Sequence, residues 1–399
     1  MKRVILLGDG MPDEPIEALG GKTPLMAAHT PNMDRMAREG TVGYVKTTPD
    51  GYAPGSDVTN MGILGYDPRK YYTGRAPLEA AAIGVPLGPT DIAYRCNLVT
   101  LAPTVEGVAM EDFSAGHIAT AEAAELIKAL DAHFGPESEF RFFPGVSYRH
   151  LMVWKNGVED IKTTPPHDIQ RQDIKNFLPQ GEKGEKLRLL TGEAQMVLKK
   201  HPVNKGRKER KEPEANSIWL WGQGKAPSLP NLKELRGISG AMISAVDLMK
   251  GIGVMAGMDV ICVPGVTGYI DTNYEGKAQA AIEALKDKDL VYIHVESPDE
   301  SSHAGSLENK IKAIEDFDAK VVGPLLAEIG RLGGRAVVLS DHPCPLAIRT
   351  HSRGPVPFAM WPALDEGHPA NGFDERISGN AQSLYFDEGF KMFERFIRP

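Results

Sequence analysis

Short apolar runs punctuate the chain at wide intervals: "VILLG" from Val4, "DVICV" from Asp259, "LVYIHV" from Leu290, "AVVLSD" from Ala336 and "PFAMW" from Pro357. Each is aliphatic or β-branched and nearly continuous. Runs apolar on both faces suit strands buried between helix layers. Between 306 and 334 the period changes. Ile311, Ile314, Phe317, Val321, Leu325 and Ile329 recur at three and four, with Ser306 placed to cap the start and Gly333 and Gly334 to end it. Strand–helix–strand alternation predicts an α/β fold around a mostly parallel sheet.

From about 92 to 155 the pattern differs. "IAYRCNLVTLA", "GVAMEDFS" and "EFRFFPGVSYRHLMVWKN" read as extended, interrupted by one helical pattern, "HIATAEAAELIKALDAHFG". This predicts an inserted α+β unit at 92–214, flanked by a discontinuous domain of 1–91 and 215–399. The charged run "NKGRKERKEPEAN" at 204–216 has no apolar face and is expected to be an exposed connection.

Composition adds limits. A chain of 399 residues is too long for one simple core, which agrees with two domains or one domain with an insertion. The net charge of −8 argues against a nucleic-acid or polyanionic partner, so a small anionic substrate needs a local basic pocket. No run approaches the length of a membrane span. The opening "MKRVILLGDG" has an apolar run too short for a signal peptide and reads as a buried first strand. Cys96, Cys262 and Cys344 are widely spaced, form no CxxC pair and suggest a reducing, cytoplasmic setting.

Four apolar runs adjoin acids or histidines. Asp9 follows the first; Asp299 and His303 follow the strand at 290; Asp341 and His342 follow the strand at 336; His351 precedes the strand at 357. In open α/β sheets the carboxyl ends of strands form the ligand crevice. Asp299 and His303 are four apart, which puts both on one face of a helical turn. Buried carboxylates and imidazoles are costly without a shared cation, so four such segments together point to divalent metal. "GYAPGSDVTNMGILGYDP" sets Ser56 at the head of a short helix. There Ser56 serves either as a simple cap or as a nucleophile favoured by the helix dipole and by metal coordination.

"GDGM", "GGKTPLMAAHTPNMDRMAREG", "PGSDVTNMGILGYDPRKYYTGRAPLEAA", "PDESSHAG" and "SDHP…THS" together resemble the alkaline phosphatase superfamily, and within it the cofactor-independent phosphoglycerate mutases of archaeal type. The resemblance spans nearly the whole chain. It implies an alkaline-phosphatase-like, mostly parallel sheet sandwiched by helices, with a smaller inserted α+β domain. It implies two divalent ions, Mn²⁺ first and Zn²⁺, Co²⁺ or Mg²⁺ as alternatives. One ion would lie on Asp9, Ser56, Asp341 and His342, the other on Asp299, His303 and His351. It implies interconversion of 2- and 3-phosphoglycerate in glycolysis and gluconeogenesis through a phosphoserine on Ser56, without 2,3-bisphosphoglycerate. The partner is a small phosphorylated hydroxy acid; no nucleic acid or membrane partner is expected.

The insertion is expected to close over the site and exclude water, and to supply cations to the substrate. His117 in "DFSAGHI" and Arg149 in "SYRH" resemble substrate-contacting residues of the family, with Arg95 beside them; Arg141, Asp112, His167 and Asp168 are weaker candidates. The chain departs from the family at "DHPCP", where related mutases carry Asp-His-Gly. For a lysine of the longer bacterial mutases it offers only Lys277. The same site also suits three other uses: a mutase-like kinase acting on homoserine, a metal-dependent phosphohydrolase, or a non-catalytic scaffold stapled by its metals.

Overall fold

In chain order the strands are β1 (Arg3–Gly8), β2 (Thr41–Val45), β3 (Ile92–Pro103), β4 (Val108–Asp112), β5 (Phe140–Phe143), β6 (Arg149–Trp154), β7 (Ser217–Gly224), β8 (Gly240–Ile243), β9 (Asp259–Val260), β10 (Leu290–Val295), β11 (Arg335–Leu339), β12 (Val356–Trp361) and β13 (Leu384–Phe386). They belong to a computed structural model describing residues 1–105, 107–181, 183–365, 368–377 and 383–398. Two compact units result: Met1–Tyr72 with Ser228–Pro399, and Thr73–Pro227.

The first unit carries an eight-stranded sheet in the order β13-β2-β12-β11-β1-β10-β8-β9. The pairings of β1 with β10 and β11, β10 with β8, β8 with β9, and β13 with β2 are parallel; β12 runs antiparallel to β11 and β2. Every residue of β1 and β10 is buried, as continuous apolar runs require. Val4, Leu6, Val291, Ile293 and Val338 pack on a helical layer that includes Ile314, Phe317, Val321, Leu325 and Ile329. That layer is the predicted 3.6-residue pattern, Leu307–Phe317 and Gly323–Arg331 joined by a π turn at Asp318–Val322. Ser306 caps it, its hydroxyl accepting from the Asn309 amide at 3.3 Å.

The consequence for the site is topological. β11, β1 and β10 are adjacent and parallel, so their carboxyl ends leave the sheet at one edge. Asp9 follows β1, helix Ser297–His303 follows β10, and Asp341 with His342 follows β11.

The second unit holds a sheet in the order β4-β3-β6-β5, with β7 also on β3. Helices Thr120–Phe134 and Gly184–Lys200 cover one face through Leu126, Leu130, Leu187, Leu190 and Leu198. Ala76 and Ala80 of helix Arg75–Ala82 cover the other against Ala93, Leu151 and Val153. This helix and β7 both pack on β3, so the unit runs from Thr73 to Pro227, wider than the 92–214 stretch that alternation predicts.

The run at 204–216 is not an exposed connection. Pro202–Glu209 is a helix whose Asn204 and Arg207 are buried. Asn204 Nδ2 donates to the carbonyls of Leu198 and Ala215, and Arg207 pairs with Glu122 at 2.6 Å. An apolar face is unnecessary where polar groups are buried with partners.

Candidate active site

The expected acids, histidines and serine of the first unit meet at the sheet edge. Asp9 is buried, and its Oδ2 lies 2.9 Å from His294 Nε2. Ser56 opens helix Ser56–Ile63, with Oγ 3.2 Å from His342 Nε2. That nitrogen is also 3.3 Å from Asp341 Oδ2 and 3.6 Å from Asp9 Oδ1. Helix Ser56–Ile63 holds Asp341 in turn: Asn60 Nδ2 donates to its Oδ2 at 2.9 Å and to the Ser56 carbonyl at 2.9 Å.

Asp299, His303 and His351 form a second group. His303 Nε2 is 3.1 Å from Asp299 Oδ2, and His351 Nε2 is 3.6 Å from Asp299 Oδ1. The His342 and His351 rings stack at 3.8 Å, so the two groups are contiguous. Gly10 allows the close approach of strand ends. Its φ is +63°, and a Cβ there would lie 2.6 Å from Asp299 Oδ1.

These donors fit divalent cations on three observations. Asp9 Oδ1, Asp299 Oδ1 and His342 Nδ1 are buried with no hydrogen-bond partner among the described residues, an arrangement that costs free energy unless charge compensates it. His303 Nδ1 lies 2.9 Å from the Arg349 carbonyl and His351 Nδ1 2.7 Å from the Pro54 carbonyl. A carbonyl only accepts, so both Nδ1 atoms carry the hydrogen. The two Nε2 atoms, 3.1 Å apart, are the ring positions left to face each other and Asp299, where a divalent cation can take the place of protons. Third, donor atoms of Asp9, Asp299 and His342, of Asp9, His294 and Asp341, and of Asp299, His303, His351 and Cys344 each lie within 4.8 Å of one another.

Electrostatics agree. Burial, then the charges of Asp341 and Asp299, pushes the Asp9 carboxyl well above the usual carboxylate range. Burial acts the same way on Asp299, but hydrogen bonds from His303 and His351 outweigh it and hold that carboxyl well below the range. His303 is raised to about 9 by Asp299. Burial lowers His342, and lowers His294 to about 4, so both rings stay neutral.

In the second unit, His117, Arg149 and Arg95 lie along one aromatic row. The His117 ring meets Tyr148 edge-on at 6.0 Å, and the Arg149 guanidinium is 5.7 Å from the same ring. Phe113 links Tyr148 to His167, and His167 meets Trp221 at 5.4 Å. The Arg95 guanidinium lies 4.1 Å over Trp221 and is paired with Glu79 at 3.0 Å. Burial lowers its pKa to about 10, which leaves it charged at neutral pH.

Other weaker candidates have structural work. Arg141 grips Asp131 with two bonds of 2.8 and 2.9 Å. Asp112 accepts from the Ser114 and Gly116 amides and shapes the turn in which Ala115, Gly116 and His117 all take positive φ. His167 lies 3.5 Å from Asp168. Lys277 is fully buried, and its Nζ donates to the His294 carbonyl at 2.9 Å. Burial lowers its pKa to about 8.

Two further residues stand beside these groups, His294 and Arg75. His294 bridges Ser244, 3.2 Å from its Nδ1, and Asp9; its place inside the apolar run of β10, directed to a strand end, was the available signal. Arg75 opens its helix 3.5 Å from Glu79, beside Arg95.

The chain's relatives mark it as an isomerase of the phosphomutase class. A family model described as 2,3-bisphosphoglycerate-independent phosphoglycerate mutase matches residues 37–204. A Geobacter sulfurreducens protein named a probable 2,3-bisphosphoglycerate-independent phosphoglycerate mutase is 54% identical over 399 residues, covering 100% of both chains. A solved Pyrococcus horikoshii structure is 28% identical at a TM-score of 0.83, over 99% of this chain and 96% of that one. A cofactor-independent phosphoglycerate mutase from Thermoplasma acidophilum is 27% identical at a TM-score of 0.67, over 100% and 99%. The chain belongs to the 2,3-bisphosphoglycerate-independent phosphoglycerate mutase family.

Proposed function

We propose that the protein interconverts 2- and 3-phosphoglycerate through a phosphoserine on Ser56. One observation carries this reading: Ser56 Oγ stands at a helix N-terminus, 3.2 Å from His342 Nε2, a nitrogen that also lies near the buried carboxyl groups of Asp9 and Asp341. Asp9, Ser56, Asp341 and His342 would hold one divalent ion, and Asp299, His303 and His351 the other. An oxygen-rich set with imidazole suits Mn²⁺, ahead of Zn²⁺, Co²⁺ or Mg²⁺. Such ions neutralise charge on attacking and leaving oxygens and ease deprotonation of the serine.

In the chain's own chemistry, Ser56 Oγ bonds to phosphorus as the bond to the glycerate oxygen breaks. Glycerate stays, turns, and takes the phosphoryl group back on its other hydroxyl. The helix dipole at Ser56 favours the phosphate throughout. The Thr73–Pro227 unit is assigned substrate binding, with Arg149 and Arg95 as its cations and His117 as a substrate-contacting imidazole. A cytoplasmic setting belongs to this reading, supported by three cysteines that form no disulfide.

The test is an assay of 2- and 3-phosphoglycerate interconversion after chelation and after return of Mn²⁺. Activity is expected only with metal, and Ser56→Ala is expected to lose about four orders of magnitude or more. Substantial turnover by that variant would remove the covalent route. Free phosphate as the sole product would favour the phosphohydrolase, and phosphate transfer from a nucleotide to homoserine the kinase.

A further inference from the structure

Cys344 lies outside the ligand set that the family resemblance implies. It occupies the "DHPCP" segment, directly after the departure from Asp-His-Gly. Yet its Sγ belongs to the group in which Asp299, His303, His351 and Cys344 each offer a donor within 4.8 Å of the others. The residue is fully buried. Its backbone is fixed on both sides: the amide donates to the Pro12 carbonyl at 3.1 Å, and the carbonyl accepts from buried Lys310 Nζ at 2.9 Å. Those bonds hold the backbone from which the thiol reaches Asp299, whose Oδ1 is a buried acceptor with no hydrogen-bond partner among the described residues.

We infer that Cys344 Sγ is a fourth protein donor in the Asp299, His303 and His351 group, biasing that position toward thiophilic cations such as Zn²⁺ and Co²⁺ over Mn²⁺ and Mg²⁺. The inference rests on the two-ion reading above. A soft sulfur donor selects among divalent ions where carboxylate and imidazole alone discriminate weakly. As the metal–sulfur bond forms, the thiol proton passes to solvent. Four protein donors fill a tetrahedral ion, so the sulfur also limits how many substrate oxygens that ion accepts unless it expands to five.

The experiment titrates Co²⁺ into metal-free full-length protein and reads the absorption spectrum. Cys262 is exposed, so Cys262→Ser serves as the background. Visible d–d bands report that cobalt is bound; a strong near-ultraviolet thiolate-to-cobalt band reports sulfur ligation. Both are expected in the Cys262→Ser protein, and only the visible bands once Cys344→Ser is added. Competition should show Zn²⁺ affinity falling about tenfold or more in Cys344→Ser, with Mn²⁺ affinity changed less than about threefold. Visible bands without the near-ultraviolet band in the parent would overturn the inference while leaving the two-ion site standing, and that result needs no further variant. A near-ultraviolet band undiminished by Cys344→Ser would overturn it too. Failure of cobalt to bind at all would overturn the two-ion reading and this inference with it.

Discussion

At the strand ends of the first unit, Asp9, Asp299, Asp341 and His342 are almost wholly withdrawn from solvent, whereas His117 and Arg149 of the second unit stand exposed. The first group consists of acids and imidazoles held by hydrogen bonds from neighbouring elements, with their remaining donor and acceptor atoms crowded together. The second consists of an imidazole and guanidinium groups resting on aromatic rings, with Arg95 also paired to Glu79. A buried cluster of carboxyl and imidazole groups offers its oxygens and nitrogens to a cation before any substrate arrives. The exposed Arg149 guanidinium makes no such commitment and keeps its charge for an anionic ligand. The comparison separates groups whose loss should destabilise the protein from groups whose loss should weaken substrate binding.

The largest expected effect falls next to the buried cluster. Lys310 is fully buried and pairs with Asp13 at 2.8 Å, while Asp13 also accepts from the Leu346 amide. Lys310→Met leaves the Asp13 carboxylate buried with its cation gone, and should cost about 3–5 kcal/mol of stability. Denaturant unfolding of Lys310→Met beside the Lys310→Met, Asp13→Leu double variant measures it. The double variant should recover much of the loss, because no unpaired charge remains. Equal loss in both would show that the pair's charge is not what matters there.

The exposed row should respond differently. Removing a charged donor to phosphate or carboxylate costs about 1.5–3 kcal/mol, or roughly 10- to 150-fold. Arg149→Met is therefore expected to raise KM for phosphoglycerate on that scale with metal content and thermal stability unchanged. Arg141→Met, whose guanidinium is spent on Asp131, should leave KM near the parent value. Steady-state kinetics of the two variants side by side decide it, and matching KM values would dissolve the distinction between the arginines.

What could be read from the sequence follows the same division. Asp9, Asp299, Asp341 and His342 were visible because each stands shortly after the end of a continuous apolar run, and adjacent parallel strands bring such ends together. Ser56 was visible from its place ahead of a helical pattern. The rest depended on long-range partners that no local pattern carries. Lys310 and Asp13 are 297 residues apart. His294 looked like one more core position of β10. Asn204 and Arg207 have a polar pattern that signals solvent, and only their partners Leu198, Ala215 and Glu122 make their burial possible. The 92–214 boundary was too narrow because helix Arg75–Ala82 and β7 join β3 across more than a hundred residues.

The smallest effect concerns a buried group that belongs to neither cluster. His150 neighbours Arg149 in sequence but is buried, with Nδ1 accepting from the Gly145 amide at 3.0 Å. Burial lowers its pKa from 6.5 to about 3. The unfolded chain then binds a proton near pH 6.5 that the folded chain refuses until about pH 3. The folded state is at full advantage above pH 6.5, and the advantage shrinks as pH falls through that window. Between pH 6 and pH 5 the loss should be about 1 kcal/mol. His150→Asn keeps an acceptor for the Gly145 amide but cannot take up the proton. Its unfolding free energy should fall about 1 kcal/mol less than the parent's across that unit of pH, measured by urea denaturation at both values. Parallel curves for the two proteins would mean that His150 is protonated as readily folded as unfolded.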